Sequence, residues 1–229
     1  LYTIPNFQNP TGVTLSDDRR EALTMVCREL DVLIVEDNPY GQLSFDGLRH
    51  RSLHSYDPEN VLYLGSFSKV FSPGVRVGWM VAPERVRKFL QIAGEAVTIC
   101  PSVLSQRLVL GFMADGMWEP HTRRTAALYK ERCDAVLAAC EKYMPAGTTW
   151  TTPSGGFFTW LTLPEGGKYA DAADALAPAI ENGVVFVPGS AFFETVDGVN
   201  PGANQLRIAF SSVEPAVLEE GVKRLAEVL

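Results

Sequence analysis

Two hydrophobic spacings alternate along this chain. An opening Leu1-Tyr2-Thr3-Ile4-Pro5 looks like a strand already under way, and after the loop Asn6 to Thr14 the residues Leu23, Val26, Cys27 and Leu30 recur at helical spacing. Ser16 precedes them as a candidate N-cap, with Asp17 and Asp18 in the first turn, where carboxylates favour the helix dipole. Val32 to Val35 is a short run with no polar interruption, as expected of a parallel strand covered on both faces, and it ends in Glu36-Asp37. Val61 to Leu64 is a second such run, ending at Gly65-Ser66. Strand, helix, strand, a turn-rich connection and another strand describe an open α/β sheet, in which ligands gather beyond the carboxyl ends of the strands.

Farther on, Val75 to Val81 reads as one more strand, Pro83 to Gly111 as helical with a break near Pro101, and Trp118 to Tyr143 as a long amphipathic helix able to bridge two domains. Strands are then expected at Gly156 to Leu161, Val184 to Pro188 and Gln205 to Phe210, with helices at Ala170 to Asn182 and Glu214 to Leu229. That order is α+β, so the chain divides into residues 1–117 and 118–229. Cys133 and Cys140, seven apart on the long helix, mark a buried face, and Trp150, Trp160, Phe157 and Phe158 are candidate core residues.

Composition narrows the classes. With 229 residues of which 46% are hydrophobic, the chain can bury a sizeable core, which argues against disorder. Twenty basic against 27 acidic residues give a net charge of −7, which repels polyanions and argues against nucleic acid as a partner. No apolar run reaches the roughly 18 to 20 residues of a membrane span. The four cysteines form no CxxC pair, so a reducing cytoplasm is the expected location. Without an initiator methionine, the chain reads as a piece of something longer. His50 and His54 have the i, i+4 spacing of helical metal sites but no third ligand nearby in the sequence, so no metal is expected.

The chemistry concentrates in LGSFSKVFSPGVRVG, Leu64 to Gly78. A lysine beyond a strand end, here Lys69, supplies an amine that condenses with carbonyls when it is held in a partly apolar site. Ser66 and Ser68 bring hydroxyls, and Pro73-Gly74 bends the chain so that Arg76 returns to clamp a phosphate with its forked donors. Asp37 closes the Val32 to Val35 strand, where a carboxylate can hold a cationic ring nitrogen, and Tyr40 follows with a phenol for an oxygen of the same ring. In NFQNPTG, Asn9 has an amide that can reach that oxygen too, although Asn-Pro followed by Gly is a turn signal first. Read singly, Asp37 is as readily an Asx turn, Tyr40 a packed aromatic and each serine a turn hydroxyl.

Taken together, NPTG at Asn9 to Gly12, DNPY at Asp37 to Tyr40 and SFSKVFSPGVRVG at Ser66 to Gly78 resemble the pyridoxal-phosphate-dependent aminotransferases of fold type I, class I and II. PSGGFF at Pro153 to Phe158, FVPGSAFF at Phe186 to Phe193 and NQLRIAFS at Asn204 to Ser211 carry the likeness to essentially the whole chain. The resemblance implies a C-terminal part of the large cofactor-binding domain, a mostly parallel sheet with helices on both faces, followed by a small α+β domain. It also implies pyridoxal 5'-phosphate bound as a Schiff base to Lys69, which shuttles the proton at substrate Cα. Asp37 would sit on the pyridine nitrogen, Asn9 and Tyr40 on the ring's phenolic oxygen, and Ser66, Ser68 and Arg76 on the phosphate. Arg207 would take the substrate α-carboxylate; without the likeness it reads as a strand-edge arginine facing water. An amino acid and a 2-oxo acid, 2-oxoglutarate first among them, are the expected partners, and a homodimer the expected assembly.

The nearest flavour is the branch handling 2-aminoadipate, aromatic or branched-chain amino acids, on the likeness of TIPNFQNPTGVTLS and VEDNPYGQLSF. In the family, an N-terminal segment supplies a phosphate loop, a ring-stacking aromatic and several strands, and these have no counterpart in this sequence. The alternatives are an aminotransferase-like effector domain of a winged-helix transcription regulator, or another reaction of the same cofactor such as β-elimination.

Overall fold

The computed structural model describes residues 1–229, which fall into two compact units: Leu1–Asn6 with Thr14–Ala126, and Phe7–Val13 with Ala127–Leu229. The boundary lies inside the long helix, beyond the expected break at 117, and the second unit also takes the NPTG segment.

In the first unit, strands β1 (Tyr2–Thr3), β2 (Ile34–Asp37), β3 (Val61–Ser66) and β4 (Gly78–Val81) form a sheet in that order. β1, β2 and β3 run parallel and β4 antiparallel. Helices α1 (Asp17–Glu29) and α2 (Leu53–Tyr56) belong to the same unit. One face of β2 and β3 is buried, where Ile34 and Val61 join Cys27 and Leu53 in a core packed by Leu15, Leu23 and Val32. Side chains alternate along a strand, so Val35 and Asp37 point to the opposite, partly open face.

The buried side of α1 is only partly the expected one, with Cys27 buried and Leu23 packed against the core. Val26 and Leu30 are 50% and 68% exposed, whereas Arg20, Thr24 and Cys27 are buried. Arg20 tolerates complete burial because its guanidinium donates to the carbonyls of Leu15, Arg51 and Pro5 and to Asn6 Oδ1, at 2.7 to 3.0 Å. The strand expected from Val75 also starts late. A 3₁₀ turn occupies Pro73–Val75 and Arg76 adopts a left-handed conformation, φ 53°, so pairing begins only at Gly78. Helices α3 (Glu84–Thr98) and α4 (Val103–Ala114) follow, with the expected break at Pro101.

Helix α5 (Trp118–Tyr143) is as the periodicity predicts, and in the second unit it buries Cys133, Val136, Ala139 and Cys140. The second sheet contains β5 (Thr149–Trp150), β6 (Phe158–Thr162), β7 (Val187–Pro188) and β8 (Gln205–Ala209), ordered β5-β6-β8-β7 and antiparallel throughout. The expected helix Ala170 to Asn182 splits into a 3₁₀ turn, Ala172–Ala175, and the short α6, Leu176–Glu181. The terminal helix α7 (Pro215–Val228) buries Leu218, Val222, Leu225 and Val228 at helical spacing. No single helix is long and apolar enough to cross a membrane.

The segment Phe7–Val13 is held in the second unit by close backbone approach. Gly12 has φ +71°, and a Cβ there would stand 2.4 Å from the Phe158 carbonyl oxygen. Thr151 Oγ1 donates to the Thr11 carbonyl at 2.7 Å.

Candidate functional site

Topology gathers the first set of polar residues. β2 and β3 are parallel neighbours with Asp37 opposite Leu64, so Asp37 and Ser66 lie at the carboxyl ends of adjacent strands. β4 returns antiparallel with Gly78 opposite Ser66, which brings Arg76 back to the same end. Ser68 and Lys69 lie in the turn that directly follows β3. One end of the sheet therefore carries a carboxylate, two hydroxyls, an amine and a guanidinium, at the place where open α/β sheets bind ligands.

Within that end, the Ser68 amide donates to Ser66 Oγ at 3.1 Å, and Arg76 Nη1 donates to Ser68 Oγ at 3.4 Å and to the Pro73 carbonyl at 3.2 Å. These partners are neutral, so the exposed guanidinium keeps its charge available for an anion. Lys69 is exposed, in contrast to the partly apolar site expected for it. The turn spends its buried position on Val70, only 3% exposed, and presents the adjacent lysine outward.

The Asp37 end is more tightly built. Tyr2 Oη donates to Asp37 Oδ2 at 2.6 Å. Burial and the neighbouring Asp37 carboxylate push the Tyr2 phenol up to about 12, so it is a protonated donor at neutral pH. The next residue, Asn38, accepts from Asn6 Nδ2 at 2.8 Å, donates to Tyr63 Oη at 3.2 Å, and its amide donates to the Leu64 carbonyl at 3.0 Å. Gly41 leaves room for the Asn38 amide, which a Cβ at position 41 would displace from its bonds to Asn6 and Tyr63. Tyr40 is buried within the turn. On the opposite face Glu36 is wholly buried, and burial raises its pKa; its Oε2 accepts from the His54 amide at 3.0 Å.

The second unit carries the other two predicted residues as a pair. Arg207 Nη1 donates to Asn9 Oδ1 at 2.6 Å. The guanidinium carbon stands 4.3 Å from the centre of the Phe158 ring and 5.4 Å from that of Phe192, so aromatic faces fix its plane. Strand β8 lies between β6 and β7, with Arg207 opposite Trp160 and Val187. Arg207 is thus on an interior strand and half-buried, unlike the water-facing edge arginine that its sequence context alone describes. With its carbonyl oxygen engaged by Arg207, Asn9 keeps its amide N–H groups as donors.

The structure therefore assembles Asp37, Tyr40, Ser66, Ser68, Lys69 and Arg76 in one unit and Asn9 with Arg207 in the other. Tyr2, Asn6, Phe158 and Phe192 join these assemblies without being expected there from the sequence. A signal for Tyr2 existed in the opening strand, but pairing with the strand that ends at Asp37 is a matter of register, which a single sequence does not display.

The family model "Aminotransferase class I and II" matches residues 3–225. The aromatic-amino-acid aminotransferase 1 of Thermococcus litoralis is 42% identical over 231 residues, covering 100% of this chain and 54% of its own length. The HTH-type transcriptional regulator YisV of Bacillus subtilis is 34% identical, covering 99% of this chain and 45% of its own. Among solved structures, the α-aminoadipate aminotransferase LysN of Thermus thermophilus, complexed with N-(5'-phosphopyridoxyl)-L-leucine, superposes with a TM-score of 0.89 at 36% identity, covering 100% of this chain and 58% of the other. The chain spans about half the length of the curated relatives it matches.

Proposed function

We propose, for a chain that belongs to the class I and II aminotransferases, that it carries out amino-group transfer from an amino acid to a 2-oxo acid with pyridoxal 5'-phosphate as cofactor. The observation that carries the reading is the convergence of Asp37, Ser66, Ser68, Lys69 and Arg76 at one end of β2, β3 and β4. The donor set fits the cofactor group by group. Two hydroxyls and a guanidinium with neutral partners suit a phosphate, a strand-end carboxylate suits a ring nitrogen, and the amine in the turn between them suits an aldehyde.

When bound, pyridoxal phosphate supplies an aldehyde that captures amines and a ring that takes up the electrons of the bond broken at Cα. Everything else falls to the protein. Ser66, Ser68 and Arg76 bind the phosphate. Asp37 would hold the proton on the ring nitrogen, and Tyr40 and Asn9 would donate to the phenolic oxygen. The Lys69 amine anchors the cofactor and moves the proton at substrate Cα. Arg207 takes the α-carboxylate with two parallel N–H donors, and its plane is already fixed by Phe158 and Phe192.

The likeness to aromatic and 2-aminoadipate enzymes supports that branch of amino donors, with 2-oxoglutarate as the acceptor and a homodimer as the full-length assembly. Four free cysteines support a reducing cytoplasm. The test is a panel of amino acids with 2-oxoglutarate and full-length protein supplemented with pyridoxal phosphate. Formation of the 2-oxo acid with stoichiometric glutamate is the expected result. Free ammonia in place of glutamate would identify an elimination reaction, and cofactor uptake with no turnover on any donor would favour the regulator reading.

A further inference from the structure

We propose that Tyr2 is a positioning residue for Asp37: its phenol immobilises one carboxylate oxygen so that the other is aimed at the proton of the cofactor ring nitrogen. The inference rests on the function proposed above. Its basis is the register of the first sheet. Tyr2 pairs with Val35 on the adjacent parallel strand, so its side chain shares the face of Val35 and of Asp37 two residues farther on. That diagonal position lets a long aromatic side chain reach the strand's last residue, and the phenol meets Asp37 Oδ2 at 2.6 Å. The distance is that of a charge-assisted O–H···O⁻ bond.

What this bond contributes follows from what is already fixed around it. The Asp37 backbone is held by pairing opposite Leu64, and Asn38 is locked by Asn6 and Tyr63. Those contacts leave the Asp37 carboxylate free to turn about its side-chain torsions, and the Tyr2 phenol removes that freedom. Oδ1 is then the remaining acceptor. Packing is a poor explanation for the tyrosine, because the residue is 59% exposed and the partial desolvation of its phenol falls where it meets Asp37. The titratable groups nearest this phenol are Asp37 and the buried Tyr40.

The experiment compares wild type with Tyr2→Phe in the full-length protein, loaded with pyridoxal phosphate carrying ¹⁵N in the ring. Phenylalanine keeps the ring and deletes only the donor. The expected result is a shift of the ring ¹⁵N resonance toward the neutral-ring position, together with a fall in kcat of about tenfold and a KM for the amino donor within about twofold. In an Asp37→Asn background the same Tyr2→Phe change should produce no further shift, since the phenol acts through that carboxylate. An unaltered resonance and kcat in loaded Tyr2→Phe would overturn the inference alone. So would a Tyr2→Phe effect of equal size with and without Asp37. A wild-type protein that takes up no pyridoxal phosphate would overturn the proposed function and this inference with it.

Discussion

Arg207 lies on a strand of the second sheet and Arg76 on the turn that leads into β4 of the first, and their surroundings differ sharply. Arg207 lies on an interior strand, bonded to Asn9 at 2.6 Å and flanked by two aromatic rings. Arg76 is exposed on a left-handed turn, with its partners at 3.2 and 3.4 Å. The contrast extends to the neighbouring elements. In the second unit α7 buries four apolar residues and α5 contributes Cys133, Val136, Ala139 and Cys140, whereas β4, α3 and α4 of the first unit bury Val109 alone. Phe89 on α3 is 72% exposed. Under the proposed function, Arg207 would meet its ligand with its plane already set by Asn9 and two aromatic rings, whereas Arg76 has two longer, neutral contacts and an exposed guanidinium.

Substitutions can break this contrast or sharpen it. Lys69→Ala in the full-length protein should lower amine transfer on the order of a thousandfold or more, since no other group replaces a covalent anchor and proton carrier; steady-state kinetics would show it. Phe210→Ala, in the second unit at 0% exposure, should cost about 3–5 kcal/mol in urea unfolding of the 229-residue chain. Arg207→Lys should reduce kcat/KM for α-amino acids about 10- to 100-fold, because one ammonium cannot reproduce a planar two-point contact or the stacking on Phe158. Phe89→Ala, at the bare face of α3, should change the stability of the same 229-residue chain by less than about 0.5 kcal/mol. A Phe89 effect equal to that of Phe210 would erase the contrast between the two regions.

Much of this architecture is legible in the sequence. The ends of α5, the strand closing on Asp37 and the break between α3 and α4 follow from period and punctuation alone. What escapes has identifiable causes. The alternation through Val75, Val77 and Trp79 looks like one strand, yet the Pro73 turn and the left-handed Arg76 delay pairing to Gly78. Arg20 of α1 is buried while Val26 and the following Leu30 are exposed, because the carbonyls of Leu15, Pro5 and Arg51 converge on it, the last two from 15 and 31 residues away, which no local pattern reveals. β5 is only two residues long and carries no periodicity to read. For the candidate site, the motifs name the residues, but the bonds that orient them join positions 35 and 198 residues apart in the chain, from Tyr2 to Asp37 and from Asn9 to Arg207. Apolar periodicity likewise reports that α3 has a face without reporting what meets it.

If the amine of Lys69 holds the cofactor, borohydride reduction followed by peptide mass spectrometry will locate it there. Full-length protein incubated with pyridoxal phosphate and reduced should carry the phosphopyridoxyl mass on the peptide containing Lys69. Label on a different lysine, or none at all in a protein that transfers amino groups, would contradict the account.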